Sequence, residues 1–479
     1  MFIRRHLRII GELICAGVAL FSVVILAVAN QVTYQVDMSV QQTLGNFNPA
    51  SGDTVLVTNI MAVAATNFLA GADVSLLPFF ESNGIAYKAS GQTQDALAIL
   101  KNSGVNCIRL RLFTSSAAQA QADPYNYINN LAYTVPLAVR VKQAGLRFLL
   151  DFHYSDTWAD PAHQAIPAAW TNLDFPQLVQ EMRTYNSNSV AAFAAAGAMP
   201  DYVQVGNEIT GGLLWPLGAV PGTNATVQWS YLAQLLNAAI QGIHDAAGTN
   251  APKIIVHIDR GGDWATTEWF FDNLIQTQHV QFDIIGESYY PFWHGPLGAL
   301  ANCLTNAAAR YGKPVIVAET AFPWTNSAWT TNIYGIPGTT NGQVEYVAAL
   351  AQVVRNVPAD LGAGIFWWGA EYQYLEDLNE AGFYTTAFFD ASGNVLPAAG
   401  VFGQMVAPLR LGTRLTGSGL TVQWPLSGAG MRLTTTTNLS PGSVWLPVTN
   451  RVQNTGAIIY STQPVNSGTS RFYRLQTNN

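Results

Sequence analysis

Two glutamates stand out for where they fall in the chain. Glu208 closes the stretch Tyr202–Glu208 (YVQVGNE), and Glu319 closes Pro314–Glu319 (PVIVAE). Each follows a run of apolar residues, and a carboxylate at the end of a buried strand is costly unless it is paired or used. Singly, either reads as an ordinary salt bridge at a strand end. As a pair, one of them preceded by Asn207, they suit chemistry at a glycosidic bond. One carboxyl group would protonate the leaving oxygen while the other attacks or stabilises the anomeric carbon. A spacing of about 5 Å gives retention of configuration, and a wider gap that admits water gives inversion. The sequence leaves that spacing open.

The surrounding residues fit such a pair. Arg109 and Arg111 share one face of an earlier run, because strand side chains alternate, and an arginine there can hold a carboxylate ionised. Either arginine can equally be structural. His153 and His257 fall at or near the ends of two more runs, where each would orient a carboxylate, bind a sugar hydroxyl or simply pack. Tyr289 closes another run and is placed to donate to the nucleophile. Trp368 closes the last and offers a flat apolar face to a pyranose ring. Trp158, Trp215, Trp293 and Trp324 fall in loops, as a polymer cleft would require, although some of the 13 tryptophans must serve core packing.

Elements of a definite kind must position these groups. Eight short apolar runs punctuate the chain: Phe68–Asp73, Val105–Leu112, Leu146–His153, Tyr202–Glu208, Ile254–Asp259, Phe282–Tyr289, Pro314–Glu319 and Ala363–Trp368. Most are continuous rather than alternating, as strands buried on both faces should be. Between them lie segments with helical spacing, such as Gln94–Asn102 and Leu131–Ala144. Eight strand–helix units predict an α/β fold, a closed (β/α)8 TIM barrel over residues 67–404, with its site at the C-terminal strand ends. The competing open sheet would carry a Gly-rich phosphate turn after its first strand, and Gly71-Ala72-Asp73 is not one.

The 479 residues exceed the roughly 250 of a simple barrel and leave room for more. Residues 405–479, rich in Thr, Ser, Gly and Asn, predict a small all-β, sandwich-like module with an aromatic core of Trp424, Trp445 and Phe472-Tyr473. Its role reads as structural or attachment, with sugar binding the weaker alternative. Residues 30–66 form a leader in which Thr33–Val57 resembles the start of a β-module. Residues 1–29 read as a signal peptide: Arg4, Arg5 and Arg8, then an apolar run, then a small-residue cleavage site at Ala27-Val28-Ala29. An uncleaved anchor is the alternative reading. Only 11% of residues are charged, and the net charge of -7 comes with no basic stripe. These features fit an exported protein that meets a neutral polymer, and they exclude nucleic acid as a partner; a monomer is expected. Cys107 and Cys303 read as buried free thiols, with a disulfide as the alternative, and no cysteine–histidine spacing suggests zinc.

Six ordered stretches add a specific resemblance. They are GADVS (Gly71–Ser75), NCIRLRL (Asn106–Leu112), DFHYSDTWADPAHQAIPAAW (Asp151–Trp170), VQVGNEITGGLLWP (Val203–Pro216), IGESYYPFWHG (Ile285–Gly295) and KPVIVAETAFPW (Lys313–Trp324). Together they resemble glycoside hydrolase family 53, the endo-β-1,4-galactanases. The resemblance implies a retaining hydrolase with Glu208 as acid/base and Glu319 as nucleophile, acting on the β-1,4-galactan of type I arabinogalactan. It implies that Arg109 and Tyr289 support the nucleophile, that Asn207 contacts the sugar, and that His153 and Trp368 line its subsite. Asp73, Trp158 and Trp293 complete the expected substrate contacts. No cofactor is expected. Relatives can bind calcium after the eighth strand, but here that segment is short, and Glu371, Glu376 and Asp377 do not form an assignable ligand set. Glu287 stands where the family usually has an apolar or small residue. Another endo-β-glycanase of the same clan, acting on glucan, mannan or xylan, is the alternative activity. A non-catalytic polysaccharide-binding protein is the alternative of a different class.

Overall fold

The computed structural model describes residues 22–27, 32–37, 59–62 and 68–477, apart from 221–225, 326–331, 377, 379–381, 417–418, 439–442, 456–457 and 465–470. It divides into two compact units, one of Asn67–Met405 and one of Met1–Thr66 with Val406–Asn479. Most of the expected signal peptide, including Val28 and Ala29 of the cleavage site, lies outside the described residues. No described helix is long and apolar enough to cross a membrane.

Asn67–Met405 is the expected barrel. Its strands are β1 (Leu69–Asp73), β2 (Cys107–Leu112), β3 (Arg147–Phe152), β4 (Tyr202–Val205), β5 (Lys253–Ile258), β6 (Ile284–Ser288), β7 (Val315–Thr320) and β8 (Gly362–Trp367), each paired in parallel with its sequence neighbours, and β8 closes on β1. The helices between them are α1 (Ala96–Asn102), α2 (Leu131–Gln143), α3 (Phe175–Ala195), α4 (Thr226–Ala247), α5 (Trp264–Phe271), α6 (Leu297–Tyr311) and α7 (Thr340–Arg355), and α8 (Pro397–Val406) follows β8. Local chemistry starts them. Asp174 caps α3 and exchanges hydrogen bonds with Gln177, which satisfies two of the N-terminal donors.

The inward faces of the strands are layered. Leu69, Cys107, Leu149, Ile255, Ile316, Ala318 and Phe366 fill the lower barrel. Gly71 has no side chain because the Phe366 ring occupies the space where one would be, 2.2 Å from an added Cβ. Above this plug, the inward residues become polar: Asp73, Arg109, Arg111, Asp151, His153, Gln204, His257 and Ser288, all buried. One of the site residues reaches this layer only through an irregularity. On β7, Ile316 and Ala318 both face the core, so strict alternation would turn Glu319 outward. The register with β6 slips there: Glu287 pairs with Val317, but Ser288 pairs with Glu319. This bulge-like step re-aims Glu319 into the barrel.

The second unit contains small antiparallel sheets. Strands 22–27, 32–37 and 59–62 form one. Near the C-terminus, 412–416, 419–425, 458–464 and 452–455 form a four-stranded sheet, and 446–447, 431–436 and 472–477 a three-stranded one. Trp424 is buried with Val422, Leu433 and Ile459. The rest of the expected aromatic core is only half-buried, and Trp445 lies under the Arg474 guanidinium, 4.2 Å from its ring.

Candidate active site

Glu208 and Glu319 line one cavity of about 500 Å³ at the C-terminal mouth of the barrel, with Asn207, His153, Trp158 and Trp368 around them. Glu208 follows β4 on a sharp turn. Gly206 has φ +93°, and Glu208 itself has φ 51° and ψ 49°, a left-handed conformation rare outside glycine and asparagine. Strain of this kind gathers at functional sites, where the surrounding structure holds it.

Glu319 is held on both oxygens. Arg109 Nη2 lies 2.8 Å from Oε1, and the Tyr290 hydroxyl donates to Oε2 at 2.9 Å. Burial raises the Glu319 pKa, while Arg109 and Tyr290 oppose the rise. Glu208 is pushed well above the usual carboxylate range, first by burial, then by Glu319 and Asp259. The Ser288 hydroxyl, which donates to its Oε1 at 2.6 Å, is the main opposing influence. The two carboxyl groups therefore occupy unequal environments: one faces a buried guanidinium, the other a serine and acidic neighbours. Such a split separates a nucleophile from an acid.

A second layer fixes these groups. Arg109 also pairs with Asp73 at 3.0 Å and Asp151 at 2.8 Å. Burial alone would favour loss of its proton, but Asp151, Glu319 and Asp73 outweigh that and keep it charged. Asp151 reaches His153 Nε2 at 3.0 Å, and His153 Nδ1 accepts from the Ala159 amide at 2.9 Å, which places the ring proton on Nε2. His257 is wholly buried, and burial followed by Arg109 holds its pKa well below the usual value, so the ring is neutral. Its Nδ1 accepts from the Glu208 amide at 3.4 Å, and its Nε2 lies 2.8 Å from Ser288 Oγ. A chain of hydrogen bonds thus runs from His257 through Ser288 to the Glu208 carboxyl.

Two expectations need correction. Tyr289 does not reach Glu319, because its hydroxyl donates to the Gly295 carbonyl at 2.7 Å. The strand ends at Ser288, which faces inward, and the extended backbone of Tyr290 carries the alternation one step further. Tyr290 is therefore the inward tyrosine. Asp73 does not line the cavity. It is 1% exposed, and its carboxylate is occupied by Arg109, Arg111 and the Ser75 hydroxyl.

The remaining expected residues fall as follows. The Asn207 side chain accepts from Arg109 at 2.8 Å and donates to the Ala159 carbonyl at 2.8 Å while still bordering the cavity. Trp158 is anchored through Nε1 to Asn126 and lies 4.2 Å above the Arg111 guanidinium, so Arg111 backs the aromatic wall. Trp368 packs on Phe383, and Trp293, 54% exposed, borders the opening. Trp324 donates to the Tyr384 carbonyl and is not among the cavity's lining residues. Glu287 points away from the cavity, where it accepts from Thr267 and from the Arg260 amide. Cys107 and Cys303 are buried free thiols. Among the described residues, no three His, Cys, Asp or Glu side chains cluster as metal ligands would, and Asp377 lies outside them.

The model for glycosyl hydrolase family 53 matches residues 69–402, which span the whole barrel. The chain belongs to that family. It is 39% identical to a probable arabinogalactan endo-β-1,4-galactanase A of Aspergillus terreus over 319 residues, covering 64% of this chain and 86% of the relative. It is 36% identical to the arabinogalactan endo-β-1,4-galactanase of Humicola insolens over 342 residues, covering 69% and 98%. Among solved structures, it resembles the family 53 catalytic domain of Ignisphaera aggregans with a TM-score of 0.63 and 34% identity, covering 70% of this chain and 96% of that one. Family 53 membership makes this chain a glycoside hydrolase and its polar barrel mouth the candidate active site.

Proposed function

We propose that this family 53 chain is an endo-β-1,4-galactanase that cuts β-1,4-galactan (type I arabinogalactan) with retention by double displacement. The observation that carries the reading is the unequal pair: Glu319 fixed by Arg109 and Tyr290, and Glu208 facing the same cavity with its pKa pushed well up. The relatives named as galactanases supply the substrate.

A galactose lies over Glu319, between the aromatic wall of Trp158 and Trp368 and the rim at Trp293. Glu319 attacks C1 as Glu208 gives its proton to the departing O4, which forms a covalent galactosyl-enzyme. Esterified Glu319 no longer carries charge, so the largest of the acidic influences on Glu208 vanishes and Glu208 ionises. It then takes a proton from water, whose oxygen attacks C1 and frees Glu319. The two carboxyl groups supply all the proton transfer and bond exchange, so no cofactor is needed. A single chain suffices, because one barrel contributes every group. The basic and apolar N-terminal pattern supports export to where galactan is met.

Incubation with pure β-1,4-galactan beside glucan, mannan and xylan tests this reading. Galactan should give oligosaccharide products whose first-formed anomer is β. E208Q should lose about a hundredfold or more in turnover while still binding galactan. Cleavage of another glycan instead would refute the substrate, and an α-anomer would refute double displacement. Binding without turnover by the wild type would make the chain a sugar-binding protein.

A further inference from the structure

Glu287 is a buried acid that the cleavage steps leave unused. It sits on β6 one residue before Ser288, and side chains alternate along a strand, so the two point to opposite faces. Ser288 faces inward and donates to Glu208. Glu287 faces outward and is wholly buried behind the barrel wall, against α5 at Thr267.

There it grips the segment that follows β5. Its Oε2 accepts from the Arg260 amide at 3.0 Å, and its Oε1 accepts from the Thr267 hydroxyl at 3.1 Å. The same hydroxyl lies 3.3 Å from the Arg260 carbonyl, so both backbone polar groups of Arg260 meet one small cluster. The next amide, Gly261, donates to the Ser288 carbonyl at 3.2 Å. Buried amides need partners, so this stitching to the end of β6 fixes where the chain turns out of β5. The charged and titratable groups facing Glu287 are Asp259 and Arg260 on that segment and the Cys303 thiol on α6, while α5 contributes the Thr267 hydroxyl. Burial outweighs them and holds the Glu287 pKa well up, so the carboxyl is neutral and needs no buried counter-charge.

The fixed segment bears on the acid. Asp259, just before Arg260, is buried and lines the cavity. Its Oδ1 accepts from the Thr210 hydroxyl at 2.5 Å, and its amide donates to the same Thr210 oxygen at 3.3 Å. Thr210 belongs to the short turn that starts at left-handed Glu208. Asp259 is also one of the charges that act on Glu208, with Glu319 of β7 and Asp160 after β3, against the Ser288 hydroxyl of β6. We propose that Glu287 is a positioning residue for the acid: from behind the barrel wall it holds Arg260, and thereby keeps Asp259 and Thr210 where they set the turn and the charge beside Glu208. This rests on the reading of Glu208 as the acid of a galactanase.

The test compares E287L, which removes the hydrogen bonds, with E287Q, which keeps an acceptor for the Arg260 amide and donates to Thr267. Two substrates separate the acid from the rest of the site. Galactohexaose needs a proton on its leaving oxygen, whereas an aryl β-galactobioside with a good phenolic leaving group does not. E287L should lose about tenfold in kcat/KM on the hexaose and stay within about twofold of wild type on the aryl substrate. Asp259 keeps Glu208 protonated, so its displacement should also move the alkaline limb of the hexaose profile to lower pH. E287Q should match the wild type in all three. If E287L fails to fold, T267V, which removes the Thr267 hydroxyl at nearly equal volume, should show the same split in smaller measure. Equal losses on both substrates, an unchanged hexaose profile, or E287Q losing as much as E287L would overturn the proposal. A wild type inactive on galactohexaose but active on another β-glycan would refute the galactanase reading alone, and the same comparison on that glycan would decide the role of Glu287. A wild type that cleaves no glycan would overturn both.

Discussion

Removing the Ser288 hydroxyl should move one limb of the pH–rate profile and leave the other in place. Ser288 donates to Glu208 Oε1 at 2.6 Å, and this bond favours the ionised carboxyl. The other influences on Glu208 act in the opposite direction: burial, then Glu319, Asp259 and Asp160. A hydrogen bond to a charged group is worth about 1.5–3 kcal/mol, and a tenfold change in a proton equilibrium corresponds to about 1.4 kcal/mol. In S288A, Glu208 should therefore hold its proton to a pH about one to two higher. Glycosylation needs that proton, so the alkaline limb of kcat/KM should move up by the same amount. Hydrolysis of the intermediate needs the ionised form, so kcat should fall wherever water attack limits turnover. The acid limb reports Glu319, held by Arg109 and Tyr290, and should stay where it is. The assay is kcat and kcat/KM on galactan oligosaccharides across the pH range, with S288T as the variant that restores a hydroxyl. An alkaline limb that is unmoved, or that moves down, would show that Ser288 does not bias the acid.

Three further outcomes follow from the geometry. Y290F should lower kcat/KM about 10- to 100-fold by removing the hydrogen bond to Glu319, whereas Y289F should keep its activity and lose about 1 kcal/mol of stability with its bond to Gly295; equal activity losses would contradict the assignment. R109M should destabilise the fold by about 3–5 kcal/mol at neutral pH, because it strands buried Asp73, Asp151 and Glu319. In the wild type, Asp151 is held below its usual pKa despite burial, so its contribution is present above about pH 4 and fades below; without Arg109, burial pushes Asp151 and Glu319 up, so melting temperatures should show R109M recovering stability as pH falls while the wild type does not. Glu371, raised by burial and Asp73 to about 8, holds its proton in the folded state, so its contribution is lost as pH rises from its unfolded value of about 4.3 towards 8. E371Q keeps an acceptor for the Leu76 amide and should melt higher than wild type at about pH 8 and equally near pH 4; parallel curves would contradict the buried, protonated carboxyl.

The barrel was legible because its signal is redundant. Each strand must be buried on both faces, so each announces itself as an apolar run, and eight such runs with helical spacers leave few folds open. The two carboxyl groups were legible for the converse reason, since charge at the end of an apolar run is anomalous. What escaped depended on a single residue of register. Tyr289 and Tyr290 are chemically identical, and only the end of β6 at Ser288 decides which of them faces Glu319. Asp73 reads as a site residue in the sequence, but its burial beneath two arginines depends on where two separate strands place their side chains. Ser288 and Gln204 carry no such anomaly, since a neutral polar residue in a strand is ordinary until its partners are known. The inward turn of Glu319 shows the same limit from the other side. Strict alternation from Ile316 and Ala318 would have placed it outside the barrel, and the slip that returns it to the mouth comes from pairing with β6 rather than from anything within β7. Glu319 is legible from the strand end as a whole, which faces the barrel mouth, and not from residue-by-residue parity. Side-chain direction at a strand end is thus a property of two strands together, and one strand's sequence does not contain it.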